Sequence, residues 1–303
     1  MSDLTRSRST PLAGSTAEGA ATLRAVAHRE VDRRLRDPDY LAARFVGRGL
    51  RLNALVHVPL LRGIMKPLVE RILPGGYWYE TTRTKAMDEV LIDELEAGCR
   101  QVVILGAGFD SRAHRFADRL AGVAVFEVDH PVTSALKRER VRAIFGDLPA
   151  HVNYVTVDFE TQDMAERLAD CGYDEGLRTL FIWSGVSMYI TADAVEGVLR
   201  FVSERSGSGS AIAFDYIYRE FLEGDDSYYG AAELRRAVER QGEPFRFGIP
   251  ECQAEAFVAA HGLELERHHT AQDMPERFLT GRDGRIAGRI YECGGLCVAR
   301  RAS

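Results

Sequence analysis

Gly106 and Gly108 flank Ala107 directly after an apolar run, in the segment Val103-Ile104-Leu105-Gly106-Ala107-Gly108-Phe109-Asp110. A buried strand that runs into such a turn and then a helix lets a ligand approach the backbone closely, because glycine carries no Cβ. In open α/β sheets the ligand crevice lies at the carboxyl ends of the strands. A dinucleotide fingerprint needs a third glycine at position 111, which is Ser111, so docking of a pyrophosphate is not supported. A second apolar run ends in Phe126-Glu127-Val128-Asp129, with Asp129 placed 23 positions after Gly106. A carboxylate there can accept both hydroxyls of a ribose. Asp129, last in its run, is the ribose candidate, and Glu127 is read as structural support for the loop. A third run ends in Val157-Asp158-Phe159. Asp158 has the chemistry to bond an adenine amino group while Phe159 packs on the ring, or else to cap the helix that follows.

Three strand ends of this kind describe an adenosine site without a phosphate cradle, which favours S-adenosylmethionine. The lysines Lys66, Lys85 and Lys137 are the only three in the sequence, and none follows glycine as a P-loop requires. A short-chain dehydrogenase needs a tyrosine four residues before its catalytic lysine, and those positions hold Arg62, Thr81 and Thr133. The stretch Gly185-Val186-Ser187-Met188-Tyr189 nearly matches a hydrolase nucleophile elbow, with His261, His268 and His269 as conceivable bases. Its second glycine is Tyr189, too bulky for that tight turn.

The elements that must position these residues follow from apolar periodicity. Short apolar runs at 101–105, 123–128, 152–157, 179–183 and 210–215 alternate with helix-compatible stretches, which predicts a parallel sheet covered on both faces. Helices are expected to start near Pro131 and after Thr191, a good N-cap, and a helix over 82–97 should stop at Gly98. Residues 1–19 read as a disordered arm and 20–76 as a helical cap ending at Pro74-Gly75-Gly76. The core is expected over 77–303. After the fifth strand an aromatic and charged insertion, 216–250 with a short helix near 231–240, has the length of a lid. A helix over 251–261 and strands over 263–267 and 289–299 complete the chain.

The 303 residues include 39 Lys and Arg against 45 Asp and Glu, a net charge of −6, with 46% hydrophobic residues. This is the composition of a soluble globular protein. No apolar run is long enough to span a membrane and the N-terminus lacks a secretory signal, so the expected location is the cytoplasm. Residues 1–71 carry 13 basic and 7 acidic groups, interleaved as on a solvated helix surface rather than clustered for nucleic acid or membrane. Cys99, Cys171, Cys252, Cys293 and Cys297 are scattered and complete no zinc-like spacing, so buried small side chains are expected and no metal. Cys293 and Cys297 would share one face of the last strand.

The sequence resembles the leucine carboxyl methyltransferase and polyketide O-methyltransferase family of class I S-adenosylmethionine-dependent enzymes. The resemblance runs from about Tyr79 to Gly262. It rests on Arg83-Thr84-Lys85 with Asp88, LGAGFDSRAHR from Leu105, FEVDHP from Phe126, Asp158-Phe159, WSGVSMYI from Trp183 and GEPFRFGI from Gly242. It implies a Rossmann-like fold with a mostly parallel seven-stranded sheet, an N-terminal helical cap and a lid after the fifth strand. It further implies that Arg83 binds the cofactor's methionine carboxylate, a planar charge-assisted pairing. By the same resemblance Gly106, Ala107 and Gly108 line the methionine part, Asp129 holds the ribose, and Asp158 and Phe159 frame the adenine. Asp110 and Arg112 are expected to stabilise the glycine turn, and Lys137 to lie on the exposed side of its helix. One position departs from the pattern: Ser184 stands where the family has Glu after the fourth-strand Trp, near the cofactor's methionine and the acceptor.

Acceptor contacts are expected from Tyr77, Trp78 and Tyr79 on one side and from Tyr216, Tyr218, Tyr228, Tyr229, Phe245 and Phe247 on the other. Ser184, Met188 and Tyr189 would lie nearest the transferred methyl. Such aromatics suit a flat or apolar small molecule better than a peptide tail. The expected reaction is methylation of a carboxylate or hydroxyl oxygen in secondary metabolism. C- or N-methylation of an aromatic or indole-like acceptor is the runner-up chemistry, and a catalytically inactive cofactor-binding protein is the alternative of another class.

Overall fold

A computed structural model of the chain describes residues 15–47 and 58–301. Among these residues a seven-stranded sheet has the order β3-β2-β1-β4-β5-β7-β6. The strands are β1 (Gln101–Leu105), β2 (Ala124–Asp129), β3 (Val152–Thr156), β4 (Thr179–Trp183), β5 (Ala211–Ile217), β6 (Leu263–His269) and β7 (Gly294–Arg301). The first five pair in parallel, and β7 runs antiparallel between β5 and β6. The five apolar runs therefore sit where the sequence placed them, within two residues at each end.

β1, β4 and β5 are buried along their whole length, as expected for strands covered on both faces. Alternation divides their side chains. Val102, Ile104, Leu180 and Ile182 pack with Met87, Val90 and Leu91 of the helix Gly76–Glu96. Val103, Leu105, Phe181 and Trp183 pack on the other face with Val195, Val198, Leu199 and Val202 of the helix Ala192–Glu204. Thr191 caps that helix, its Oγ1 accepting from the Ala194 N–H at 3.3 Å, and Gly98 takes the expected left-handed φ of +87° past the end of the other.

Several boundaries differ from the sequence reading. The helix expected from residue 82 begins at Gly76, because Gly75, with φ +78°, turns the chain into it. That adds Tyr77, Trp78 and Tyr79 to its first turn. A helix spans Ser15–Ala27, so residues 15–19 of the expected arm are helical. Ala21 and Ala25 bury that helix against Phe45, Phe109 and Val141, a tertiary contact that local composition does not announce. Residues 1–14 of the arm and 48–57 of the cap lie outside the described residues. The helix expected over 251–261 shortens to Ala254–Ala259, because Cys252 adopts a φ of +61°. β7 starts at Gly294 rather than 289, so Cys293 precedes the strand and packs with Met188 and Phe221, whereas Cys297 packs on the other core with Phe214. Among the described residues no helix is long and apolar enough to cross a membrane.

The chain moves outward from β1 through β2 to β3 and then crosses to β4 on the other side of β1. Such a reversal opens a crevice outside the carboxyl ends of the strands. The register sets Leu105 beside both Val128 and Trp183, and Asp129 beside Thr156. The residues that follow β1 to β4 therefore converge on one edge.

Candidate functional site

A cavity of about 1010 Å³ occupies that edge, roomy for a small-molecule site. Its floor is the turn after β1, where Gly106 and Gly108 have φ of +59° and +42°. A Cβ on Gly106 would lie 2.4 Å from Val186 Cγ2, and one on Gly108 would lie 3.3 Å from the Ala17 Cβ. Gly106→Ala therefore combines positive-φ strain with a clash into the β4 turn. It is expected to lower the melting temperature and to weaken ligand binding at least tenfold, read by thermal unfolding and titration.

Asp129 ends β2 half-buried against the cavity. Its Oδ2 accepts the Gly108 N–H at 2.6 Å and its Oδ1 the His130 N–H at 2.7 Å. Burial raises its pKa and these two N–H groups oppose the rise. Glu127, two residues earlier in the strand, is fully buried, with Lys137 Nζ at 2.8 Å. Desolvation pushes the Glu127 pKa up to about 7 against the pull of Lys137. Lys137 also reaches the Ala107 carbonyl at 3.4 Å. The expectation of an exposed Lys137 is thus corrected: it is 1% exposed, because the helix Pro131–Phe145 lays it over a strand that carries a buried acid.

Asp158 and Phe159 both line the cavity, with Asp158 Oδ1 accepting the Glu160 N–H at 3.0 Å. Asp110 accepts the Arg112 N–H at 2.7 Å and pairs with its guanidinium, which fixes the glycine turn as expected. Asp88 holds Arg112 at 2.8 Å and Arg115 at 2.7 Å.

Arg83 enters from the helix Gly76–Glu96. Its guanidinium donates to Asp215 Oδ2 at 2.8 Å and to Glu80 Oε1 at 2.6 Å. A guanidinium has five N–H groups, so donors remain for a ligand in the cavity that Arg83 lines. These two acids raise the Arg83 pKa far above its usual value even against desolvation. Asp215 is fully buried in β5 and also accepts the Tyr79 hydroxyl at 3.1 Å and the Gly185 N–H at 2.6 Å. It therefore positions both Arg83 and the turn that carries Ser184. Sequence reasoning missed Asp215, although an acid inside an apolar strand was a visible signal. It also missed Glu80, Arg24, Glu243 and Tyr291, all of which line the cavity.

Ser184, Met188, Tyr189 and Phe245 line the cavity as expected, together with Ile217, Leu234, Val238 and Tyr291. The segment expected to form a lid is joined to the turn after β4 where the Arg246 N–H donates to the Met188 carbonyl at 2.7 Å. The other aromatics expected at the acceptor are not among its lining residues. The Tyr77 hydroxyl donates to Glu30 at 2.9 Å, and Trp78 packs under Lys66 Nζ, 4.2 Å from the ring centroid. Tyr79 stands one layer back, stacked at 4.0 Å on Tyr291, which lines the cavity. Tyr216 bonds His268 Nε2 at 2.9 Å within the sheet core, and Tyr229 lies under the Arg289 guanidinium at 3.9 Å. Tyr218 and Tyr228 pair with each other, and Phe247 packs on Phe257. In each case a core or surface partner takes a ring that the sequence reading had assigned to the acceptor.

A seven-stranded sheet with β7 antiparallel, and a cleft where its first four strands end, is the scaffold of class I methyltransferases. Residues 17–203 match the leucine carboxyl methyltransferase family, and the chain belongs to it. A Streptomyces coelicolor relative that carries the provisional name S-adenosyl-L-methionine-dependent methyltransferase is 34% identical over 262 residues, covering 84% of each chain. A Mycolicibacterium paratuberculosis relative with the same provisional name is 31% identical over 286 residues, covering 90% of this chain and 85% of its own. Among solved structures, a Thermobifida fusca protein provisionally described as a methyltransferase superposes with a TM-score of 0.57 at 14% identity, covering 98% of this chain and all of the other.

Proposed function

We propose that this S-adenosylmethionine-dependent methyltransferase transfers a methyl group to an oxygen, carboxylate or hydroxyl, of a small molecule in cytoplasmic secondary metabolism. The observation that carries the reading is the edge itself: Gly106 and Gly108, Asp129, Asp158 with Phe159, and Arg83 all face one cavity. The residues fit the cofactor. Two positive-φ glycines clear the floor, a carboxylate ends β2, and a guanidinium with spare donors stands opposite.

S-adenosylmethionine, when bound, supplies a methyl group already activated by its sulfonium. Arg83, held by Asp215 and Glu80, would receive the methionine carboxylate, and Asp129 the ribose hydroxyls. Met188, Tyr189, Phe245 and Tyr291 wall the remaining space. Holding an acceptor in line with the methyl in such a space can lower the barrier by roughly 7–11 kcal/mol. Burial pushes the Tyr189 and Tyr291 hydroxyls well above their usual pKa, so both stay protonated and act as neutral contacts.

The test is incubation with methyl-labelled cofactor and a panel of small carboxylic acids, phenols and alcohols. A product heavier by one methyl, with the new carbon on oxygen, is the expected result. A methyl on carbon or nitrogen contradicts the O-directed reading, and cofactor binding without transfer across the panel favours a binding protein.

A further inference from the structure

The charge inventory of the cavity narrows the acceptor, an inference that rests on the proposed cofactor site. Among the described residues the cavity is lined by five arginines and no lysine, and each arginine is already ion-paired. Arg24 pairs with Asp39 at 3.0 Å, and Arg83 with Glu80 and Asp215. Arg112 and Arg115 share Asp88, and Arg246 pairs with Glu160. His130 stands beside Asp129 on the cofactor side. An anionic acceptor would lose its hydration among eight lining carboxylates that outnumber those five arginines, a large cost in a partly closed site. The lid adds an acid, Glu243, which accepts the Thr16 hydroxyl and lines the cavity. An ionised carboxylate only accepts hydrogen bonds, so it welcomes an O–H and repels a second carboxylate. Two basic residues of the first quarter of the chain are paired in the same way, Arg24 with Asp39 and Lys66 with Glu30.

A second observation concerns the helix Pro59–Ile72. Ile64, Leu68 and Ile72 recur at four-residue spacing on one face and are 57%, 44% and 46% exposed. Ile72 lines the cavity with Val69 and Leu73, whereas Ile64 and Leu68 do not. The three apolar positions therefore lead from the cavity wall out onto the surface. Apolar side chains at the rim of a ligand cavity offer a surface on which an apolar part of a ligand can continue beyond it.

We infer that the acceptor is an uncharged, lipophilic molecule that presents a hydroxyl inside the cavity and lays an apolar tail along Ile72, Leu68 and Ile64. Carboxylates are disfavoured, and so are short acceptors that leave the stripe uncovered.

Calorimetry on the full chain loaded with S-adenosylhomocysteine tests this at pH 7 with three probes: 4-nonylphenol, 4-nonylbenzoate and phenol. The nonylphenol is expected to bind at least tenfold tighter than either of the others. Leu68→Glu, a surface change outside the cavity, should weaken nonylphenol at least fivefold while leaving S-adenosylhomocysteine affinity unchanged. Nonylbenzoate or phenol binding as tightly as nonylphenol overturns the inference. So does failure of both nonyl compounds to bind, or a Leu68→Glu variant with unaltered nonylphenol affinity. Failure to bind S-adenosylhomocysteine is a different result, which removes the cofactor assignment itself and this inference with it.

Discussion

Asp129→Ala is expected to weaken S-adenosylmethionine binding by about 100- to 1000-fold. A hydrogen bond to a charged group contributes about 1.5–3 kcal/mol, and two ribose hydroxyls on one carboxylate reach about 3–4 kcal/mol, with about 1.4 kcal/mol per decade of affinity. The truncation has a second effect, because the Gly108 and His130 N–H groups lose their acceptors and the floor of the cavity loosens. Asp129→Asn keeps one acceptor oxygen and should lose only about tenfold on the same scale. Equilibrium dialysis with labelled cofactor reads both variants, and thermal unfolding shows whether the fold is intact. An Asp129→Ala protein that is folded and binds the cofactor within threefold of the parent would refute the ribose role.

The second large effect lies beneath that floor. Lys137→Met removes the cation that faces the fully buried Glu127, and breaking a buried pair from one side costs about 3–5 kcal/mol. The loss carries a pH signature. Glu127 already has its folded pKa pushed up to about 7, above its unfolded value, and without Lys137 the folded value rises further. A carboxyl whose pKa is raised on folding contributes its stability at low pH and loses it as pH climbs through the folded value. The variant should therefore fall further behind the parent at pH 8 than at pH 5 in denaturant unfolding. Adding Glu127→Met should restore most of the stability, since a buried pair can be replaced by apolar groups at little cost. A single variant as stable as the parent at pH 8, or a double variant no better than the single, would show that the pair does not hold the turn.

The strands were readable in the sequence because a buried parallel sheet demands continuous apolar runs, and little else in this chain has them. The cofactor edge was readable for a related reason: Gly106, Gly108, Asp129 and Asp158 all follow directly on those runs, so local order in the chain becomes proximity in space. The acceptor side had no such rule. Its lining combines Ile72 and Leu73 at the end of the helix Pro59–Ile72, Tyr291 before the last strand and Phe245 after β5, which only tertiary packing brings together. Aromatic content misled there, since Tyr77, Trp78, Tyr216 and Tyr229 each found another partner. Lys137 misled for a simpler reason. Lysine is seldom fully buried, and only the pairing with Glu127 across helix and strand explains the exception.

The most direct test of the account is calorimetric titration of the 303-residue protein with S-adenosylmethionine, alongside NAD under the same conditions. Saturable binding of S-adenosylmethionine at one site, abolished or sharply weakened in Asp129→Ala and without measurable binding of NAD, is the predicted result. No binding of S-adenosylmethionine, or tight binding of NAD in its place, would contradict it.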